Sequence, residues 1–376
     1  MKTVGKLFSL ALALAFAQGA AAADNEPTRT VLIGLPTPKG VVHGQVSQDG
    51  AQLAVDDANQ ANIRVGGQKI LFKLFIADDK NDENMTLLVA RSMLAAGVVG
   101  VIGHRTSDTS IVAAKLYSDA GIPQIAPAAA ARAFTQNGYR TVFQLIGNSD
   151  KTAVYIADAL MKSLRAQRVM VIDNETKLGR ALADNVVNEL FLRKGPPATR
   201  LSINSKTSDF SVLIPNIKRH APDVIFFSGF APQTMALAKR LAEVGGTEKL
   251  LIMGSGNNPE FPGAGPYDDG IWMLGYGTPL EKTRGIQALE KNFRAKFNSP
   301  FLPQTLLAYD AVSVLIAAIR QADSLEPPVL VNTLHKIKYK GASGQVSFDA
   351  EGNLEVPTYG LYQVRNKRWE TVRSYP

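Results

Sequence analysis

A chain of 376 residues is long enough for two full-sized cores, and 20% charged with 7% aromatic residues is the composition of a folded globular protein. Its formal charge is +8, yet Lys and Arg are scattered, as at Lys239-Arg240, with no basic run interleaved with aromatics; a nucleic-acid partner is not expected. Cysteine is absent, which excludes disulfides, thiol nucleophiles and a lipid-modified cysteine anchor.

Lys2 and Lys6 precede an apolar core at residues 7–17 (LFSLALALAFA), too short to span a bilayer, and residues 20–23 supply a small-residue cleavage pattern. Residues 1–23 are therefore expected to be a signal peptide, cut after Ala22 or Ala23, that sends the chain to the periplasm. Every later apolar run is interrupted by charge, Gly or Pro, so no further membrane span is expected.

Residues 28–35 predict a first strand, followed by a Pro/Gly-rich loop at 36–44 and a helix over 45–59. Residues 70–76 (ILFKLFI) alternate as a strand ending at Asp78-Asp79, and 84–96 form an amphipathic helix. The stretch 98–131 carries the next βαβ unit. Residues 98–102 read as a buried strand broken by Gly103, then Thr106, Ser107 and Asp108 offer N-cap side chains. The helix runs to about Ala120, Gly121 stops it, and a strand at 122–126 ends in Pro127 and four alanines. The first turn of this unit puts free N–H groups and small hydroxyls at a helix N-terminus, where an anion is favoured.

A second set repeats the pattern: helices at 151–163, 179–193 and 233–244, strands at 168–173, 223–228 and 250–253. Helices at 281–297 and 303–322 follow, then strands at 344–349, 358–364 and 368–372, the last two joined at Asn366-Lys367. The alternation predicts α/β architecture with two doubly wound lobes. No Gly/Ser- or Pro-rich linker separates the sets, which suits direct crossovers forming a hinge beside a cleft.

Catalytic signatures are lacking: there is no G-x-S-x-G, H-E-x-x-H or phosphate-loop motif, and no G-x-G-x-x-G in the first βα turn. His43, His104, His220 and His335 lack metal-ligand spacing; His220 and His335 read as surface residues and His104 as structural. Asp78-Asp79 reads as an acidic strand-end loop more readily than a cation site. A binder without catalytic residue, metal or cofactor is expected.

Over nearly its whole mature length the chain resembles the periplasmic branched-chain amino acid-binding proteins of ABC importers. The matching pieces are residues 50–59 (GAQLAVDDAN), 101–104 (VIGH), 120–129 (AGIPQIAPAA), 230–245, Tyr309-Asp310-Ala311 and 341–352 (GASGQVSFDAEG). The resemblance implies the type I periplasmic binding fold, with lobe 1 at 28–146 plus 279–354, lobe 2 at 147–278 plus 355–376, and a three-segment hinge. It also implies a monomer that closes over a small-molecule carboxylate ligand, docks on ABC permease membrane subunits and does no chemistry.

In the amino acid binders a serine hydroxyl and backbone N–H groups hold the α-carboxylate; the matching positions are Ser107, with its own N–H, and the N–H of Ala130. Their α-ammonium is held by a carbonyl matching Ala128, a threonine matching Ala130, and an acidic residue whose position falls near Gly256, so both side-chain partners are lost here. Tyrosines of the family cleft match Leu178 and Phe230, Arg105 replaces an apolar residue, and Asn81 and Thr106 stand where the family has a disulfide. His43, in the first loop, is a further candidate for the cleft, as is Thr106 beside Ser107. A buried ammonium without a carboxylate partner is costly, so the pattern favours an organic or aromatic acid lacking the α-amino group over a branched-chain amino acid. Glu260 or Asp268 in the cleft would restore an ammonium site. A sensory protein that presents its ligand to a receptor would use the same fold and cleft.

Overall fold

A computed structural model describes residues 27–254 and 269–376; the expected signal peptide, Gly256, Glu260 and Asp268 lie outside the described residues. The first sheet contains β1 (Thr28–Pro36), β2 (Arg64–Val65), β3 (Gln68–Ala77), β4 (Val101–Ile102), β5 (Gln124–Ala126) and β6 (Val142–Gln144). Their order is β2-β3-β1-β4-β5-β6, parallel apart from the β2–β3 pair, with α1 (Val42–Gln60), α2 (Glu83–Ala95) and α3 (Ser107–Asp119) as connections.

A second series follows: α4 (Ser149–Asp158), β7 (Val169–Asp173), α5 (Lys177–Leu192), β8 (Ala198–Ser202), α6 (Ile214–His220), β9 (Val224–Ser228), α7 (Ala231–Glu243), β10 (Lys249–Gly254) and β11 (Trp272–Tyr276). The chain then adds α8 (Ile286–Lys296), α9 (Pro303–Ala322), α10 (Pro327–Leu334) and the small ladder of β12 (Tyr339–Lys340) with β13 (Gln345–Val346). It ends in the hairpin β14 (Tyr359–Arg365) and β15 (Arg368–Tyr375). The second sheet has the order β15-β14-β11-β10-β9-β7-β8, parallel from β11 to β8.

The continuous apolar runs of the second sheet follow from burial on both faces. Val169, Val171, Val224, Phe226 and Leu251 enter one core, while Met170, Ile172, Ile225, Phe227 and Ile252 enter the core on the other side. In the closing hairpin, Asn366 and Lys367 both take positive φ (51° and 60°), the twist a two-residue hairpin turn requires.

Helix α9 is long and apolar enough to cross a membrane, contrary to the expectation that no later segment would be. Its apolar residues instead face the first lobe's core, where Ala311, Val312, Leu315 and Ile319 are buried. It lies tight on α1 because Gly50 has no side chain: a Cβ there would stand 2.2 Å from the Thr305 carbonyl oxygen.

Several elements differ from the sequence pattern. The run 98–102 forms ladder only at Val101–Ile102, although Val99 N–H still donates to Leu32 O (3.0 Å). The expected strand at 344–349 contracts to β13, and β8, β11, α6 and α10 emerge without a strong local signal. β8 is a half-buried sheet edge, β11 carries Gly275, and α6 and α10 are short with Pro in their first turn. His335 is half-buried rather than superficial, with Nε2 2.8 Å from Arg140 O and its ring 4.9 Å from that of Phe143.

Three segments join the layers: β6 to α4, β11 to α8, and β13 to β14. They touch one another. Gly277 N–H donates to Thr358 O (2.8 Å), and Asn148 Nδ2 donates to Asn353 Oδ1 (3.1 Å).

Gly50→Ala tests the α1–α9 contact. Alanine favours a helix by about 1 kcal/mol, but overpacking against a backbone carbonyl costs about 1–3 kcal/mol, so the net loss is up to about 2 kcal/mol and thermal denaturation should show a midpoint lower by up to a few degrees. A higher midpoint would mean that the helices separate freely.

Candidate functional site

The parallel strands of both sheets deliver their carboxyl ends to the space between the lobes. There the structure forms a cleft of about 860 Å³, counting its open mouth. The first lobe contributes Ser47 from α1, residues 105–108 from the β4–α3 turn, Ala128 beyond β5, and Gln304 at the start of α9. The second contributes Asn174, Thr176 and Leu178 from the β7–α5 turn, Phe230 before α7, Met253, and Tyr276 at the end of β11. Four helix N-termini, those of α3, α5, α7 and α9, therefore face one space, and their partial positive charge favours an anion.

Thr106 caps α3, its hydroxyl accepting Thr109 N–H at 3.3 Å, which fixes the turn that presents Arg105 and Ser107. Ser107 Oγ accepts two backbone N–H groups, from Ala130 at 3.1 Å and Ala131 at 3.0 Å. The N–H of Ala130 is thus turned onto Ser107 instead of lying free at the cleft, and Ala130 is fully buried. A hydroxyl has two lone pairs and one proton; with both lone pairs engaged, Ser107 has its O–H left to donate. Ala128 lines the cleft as expected.

Arg105 has no hydrogen-bond or ion-pair partner among the described residues. Burial pulls its pKa down from the ordinary guanidinium value, and the charge of Asp79 pulls it back. Behind the turn, His104 is fully buried, with Nδ1 2.7 Å from Asp79 and Nε2 3.1 Å from the Tyr117 hydroxyl. Asp79 also accepts Asn81 N–H, and Asp78 accepts the N–H groups of Lys39 and Lys80, so the acidic pair organises a loop.

The second lobe is apolar where the first is polar. Phe230 is 45% exposed, and Leu178 and Tyr276 pack against cores of both lobes. The neighbouring rim is tied down: Thr176 donates to Asn174 Oδ1 (2.8 Å), which holds its hydroxyl to accept Gly179 N–H (3.0 Å). Among the described lining residues the one carboxylate is Asp108, which already accepts Lys177 N–H at 3.2 Å from across the cleft. Lys177 Nζ also reaches Glu83 of the first lobe at 3.2 Å.

His43 begins α1 one turn before Ser47 and does not line the cleft itself. Its Nδ1 is buried without a partner among the described residues. Burial, assisted by the nearby charge of Arg105, brings its pKa down to about 4.

A model of the family described as periplasmic binding protein matches residues 31–368. The chain belongs to the periplasmic binding protein family. It is similar to a "Leu/Ile/Val-binding protein homolog 1" of Brucella suis, at 29% identity over 98% of this chain and 96% of the relative. Its fold matches that of a leucine binding protein from Thermotoga maritima with a TM-score of 0.82, at 21% identity, covering 92% of this chain and 98% of the other. A solute binding protein of an ABC transporter from R. palustris, solved in complex with benzoate, has a TM-score of 0.79 at 19% identity, covering 92% of this chain and 96% of the other.

In this member of the family the structure brings Arg105, Thr106, Ser107, Ala128, Leu178 and Phe230 to one cleft. Ser47, Asn174, Thr176, Tyr276 and Gln304 also line it, and sequence reasoning did not single them out. A signal existed for two of them: Thr176 is an N-cap after a buried strand, as Thr106 is, and Gln304 follows the Pro that opens α9.

The unfolded chain takes up a proton on His43 near pH 6.5, whereas the folded chain resists it to about 4. Stability from this group is complete above 6.5 and declines as pH falls toward 4, by up to about 3 kcal/mol less what the partly solvated ring recovers from water. Urea titrations over that window should show this slope reduced in His43→Gln; equal slopes would remove His43 as its source.

Proposed function

We propose that this chain is the periplasmic solute-binding component of an ABC importer, closing its two lobes over a small organic acid that lacks an α-amino group. The observation that carries the reading is the pairing of Arg105, which has no hydrogen-bond or ion-pair partner among the described residues, with a Ser107 hydroxyl whose lone pairs are both engaged. Both groups are donors only, and a carboxylate is acceptor only. The four helix N-termini add to the same sign of charge. Leu178, Phe230 and Met253 offer the body of the ligand an apolar wall.

An amino acid would bring an ammonium that needs a carboxylate. Asp108 is bonded to Lys177, and no other carboxylate lines the described part of the cleft. The benzoate-bound relative supports a body with an aromatic ring; the Brucella homologue supports a branched aliphatic one. The lobes are divided, in this reading, at 146/147, 278/279 and 354/355, each within one of the three joining segments. The leader at 1–23 directs export, the closed monomer docks on the permease, and it releases its ligand unchanged.

Thermal-shift titration of the unliganded mature protein should give a rise in midpoint with benzoate or a branched aliphatic acid and none with leucine, isoleucine or valine. Shifts with the amino acids alone would overturn the reading. Arg105→Ala should weaken acid binding by roughly tenfold to a hundredfold, the range for a hydrogen bond to a charged group, as measured by calorimetry. Ser107→Ala removes a donor to the carboxylate and also leaves the Ala130 and Ala131 N–H groups without their acceptor. It should therefore weaken acid binding at least as much and lower the thermal midpoint as well. Unchanged affinity in Arg105→Ala would place the acid elsewhere.

A further inference from the structure

Behind the cleft lies a second space, of about 460 Å³ counting its open side, that shares Ala128, Gly254, Tyr276 and Gln304 with it. Its remaining walls are almost wholly apolar. Pro127, Pro303 and Leu307 come from the first lobe, Met273 and Tyr362 from the second sheet, and Ile146 from the first joining segment. Ile146, Met273, Leu307 and Tyr362 are all at most 8% exposed. An apolar recess open to a ligand cleft gains free energy when an apolar group covers it.

The recess is kept open by small residues. Gly275 faces Tyr362, where a Cβ would stand 3.0 Å from the tyrosine ring, and Ala128 and Gly254 stand at the boundary of the two spaces. Arg105 and Ser107 line the cleft and not the recess. The anion-binding end, built by the first lobe, and the apolar end, built by both lobes, are thus separate.

We infer that the ligand is an elongated acid, with its carboxylate at Arg105 and Ser107 and a hydrocarbon or aryl end reaching past Ala128 and Tyr276 into the recess. Arylalkanoates with a side chain of two to four carbons, and straight-chain acids of six to eight carbons, have this form; benzoate and 3-methylbutanoate fill the cleft alone. This inference rests on the anion reading of the cleft given above. Each methylene that enters the recess should tighten binding by about three- to fourfold.

Calorimetry with benzoate, phenylacetate, 3-phenylpropanoate and 4-phenylbutanoate, and with butanoate through octanoate, measures this directly. Affinity should climb with length and then level off. Ile146→Phe, which narrows the recess, should cost 4-phenylbutanoate tenfold or more while leaving benzoate within about twofold. Leu307→Phe serves as a second variant if the first melts early, and the length series on the wild-type protein stands without either. Benzoate binding with affinity that is flat or falls along both series overturns the recess and leaves the anion reading intact. Binding of leucine with no acid in either series bound overturns the anion reading, and this inference with it.

Discussion

The ligand cleft depends on a single hydroxyl. Ser107 Oγ joins the turn after β4 to the backbone after β5 by accepting the N–H groups of Ala130 and Ala131. Those two turns end adjacent parallel strands, so the bond fixes the floor of the first lobe's half of the cleft. The same bond polarises the serine: its acceptor capacity is spent inside the protein and its proton remains for a ligand. A structural tie and a chemical preference are therefore one feature. Alanine at this position would leave two buried N–H groups without a partner, each a loss of about 1–3 kcal/mol.

The support beneath this floor is polar and buried. The Asp79–His104–Tyr117 chain lies directly behind the turn, with every member fully buried. Such a network holds its turn rigidly when all partners are satisfied. Its cost is repaid in position: the turn from which Arg105 extends to the cleft is fixed.

The two lobes divide the work of recognition. The first supplies hydroxyls, amides and a cation, and the second supplies Leu178, Phe230 and Met253. A ligand bridging them satisfies both sets only when the lobes approach. The Lys177 contacts with Asp108 and Glu83 also cross this gap, but exposed ion pairs contribute about 0–1 kcal/mol and are weak beside desolvation of an apolar wall. The three joining segments are themselves bonded to one another, as Gly277 is to Thr358.

Local pattern carried much of this into the sequence. Strand–helix alternation, the Thr106 cap and the Gly121 stop, whose φ is +69°, are set by residues within a few positions of one another, and each was legible. So was Ser107, in the turn after a buried strand, whereas Arg105, Leu178 and Phe230 were marked only by the family resemblance. Elements without a local signature were not: β11 is an interior strand whose antiparallel partner β14 lies far along the chain, and nothing in WMLGY announces it. The direction of the Ala130 N–H was equally hidden, because it depends on where Ser107 falls after folding.

What the sequence determined by itself was the alternating α/β build and the residue types at the strand ends, since propensity, capping and period act over short range. Tertiary structure alone decided which lone pairs of Ser107 were taken, that Arg105 stands without a partner among the described residues, and that α9 turns its apolar face inward. It also opened the recess between Ile146, Met273 and Leu307. Those properties belong to distances between residues remote in the chain, and such distances exist only once the two lobes have packed.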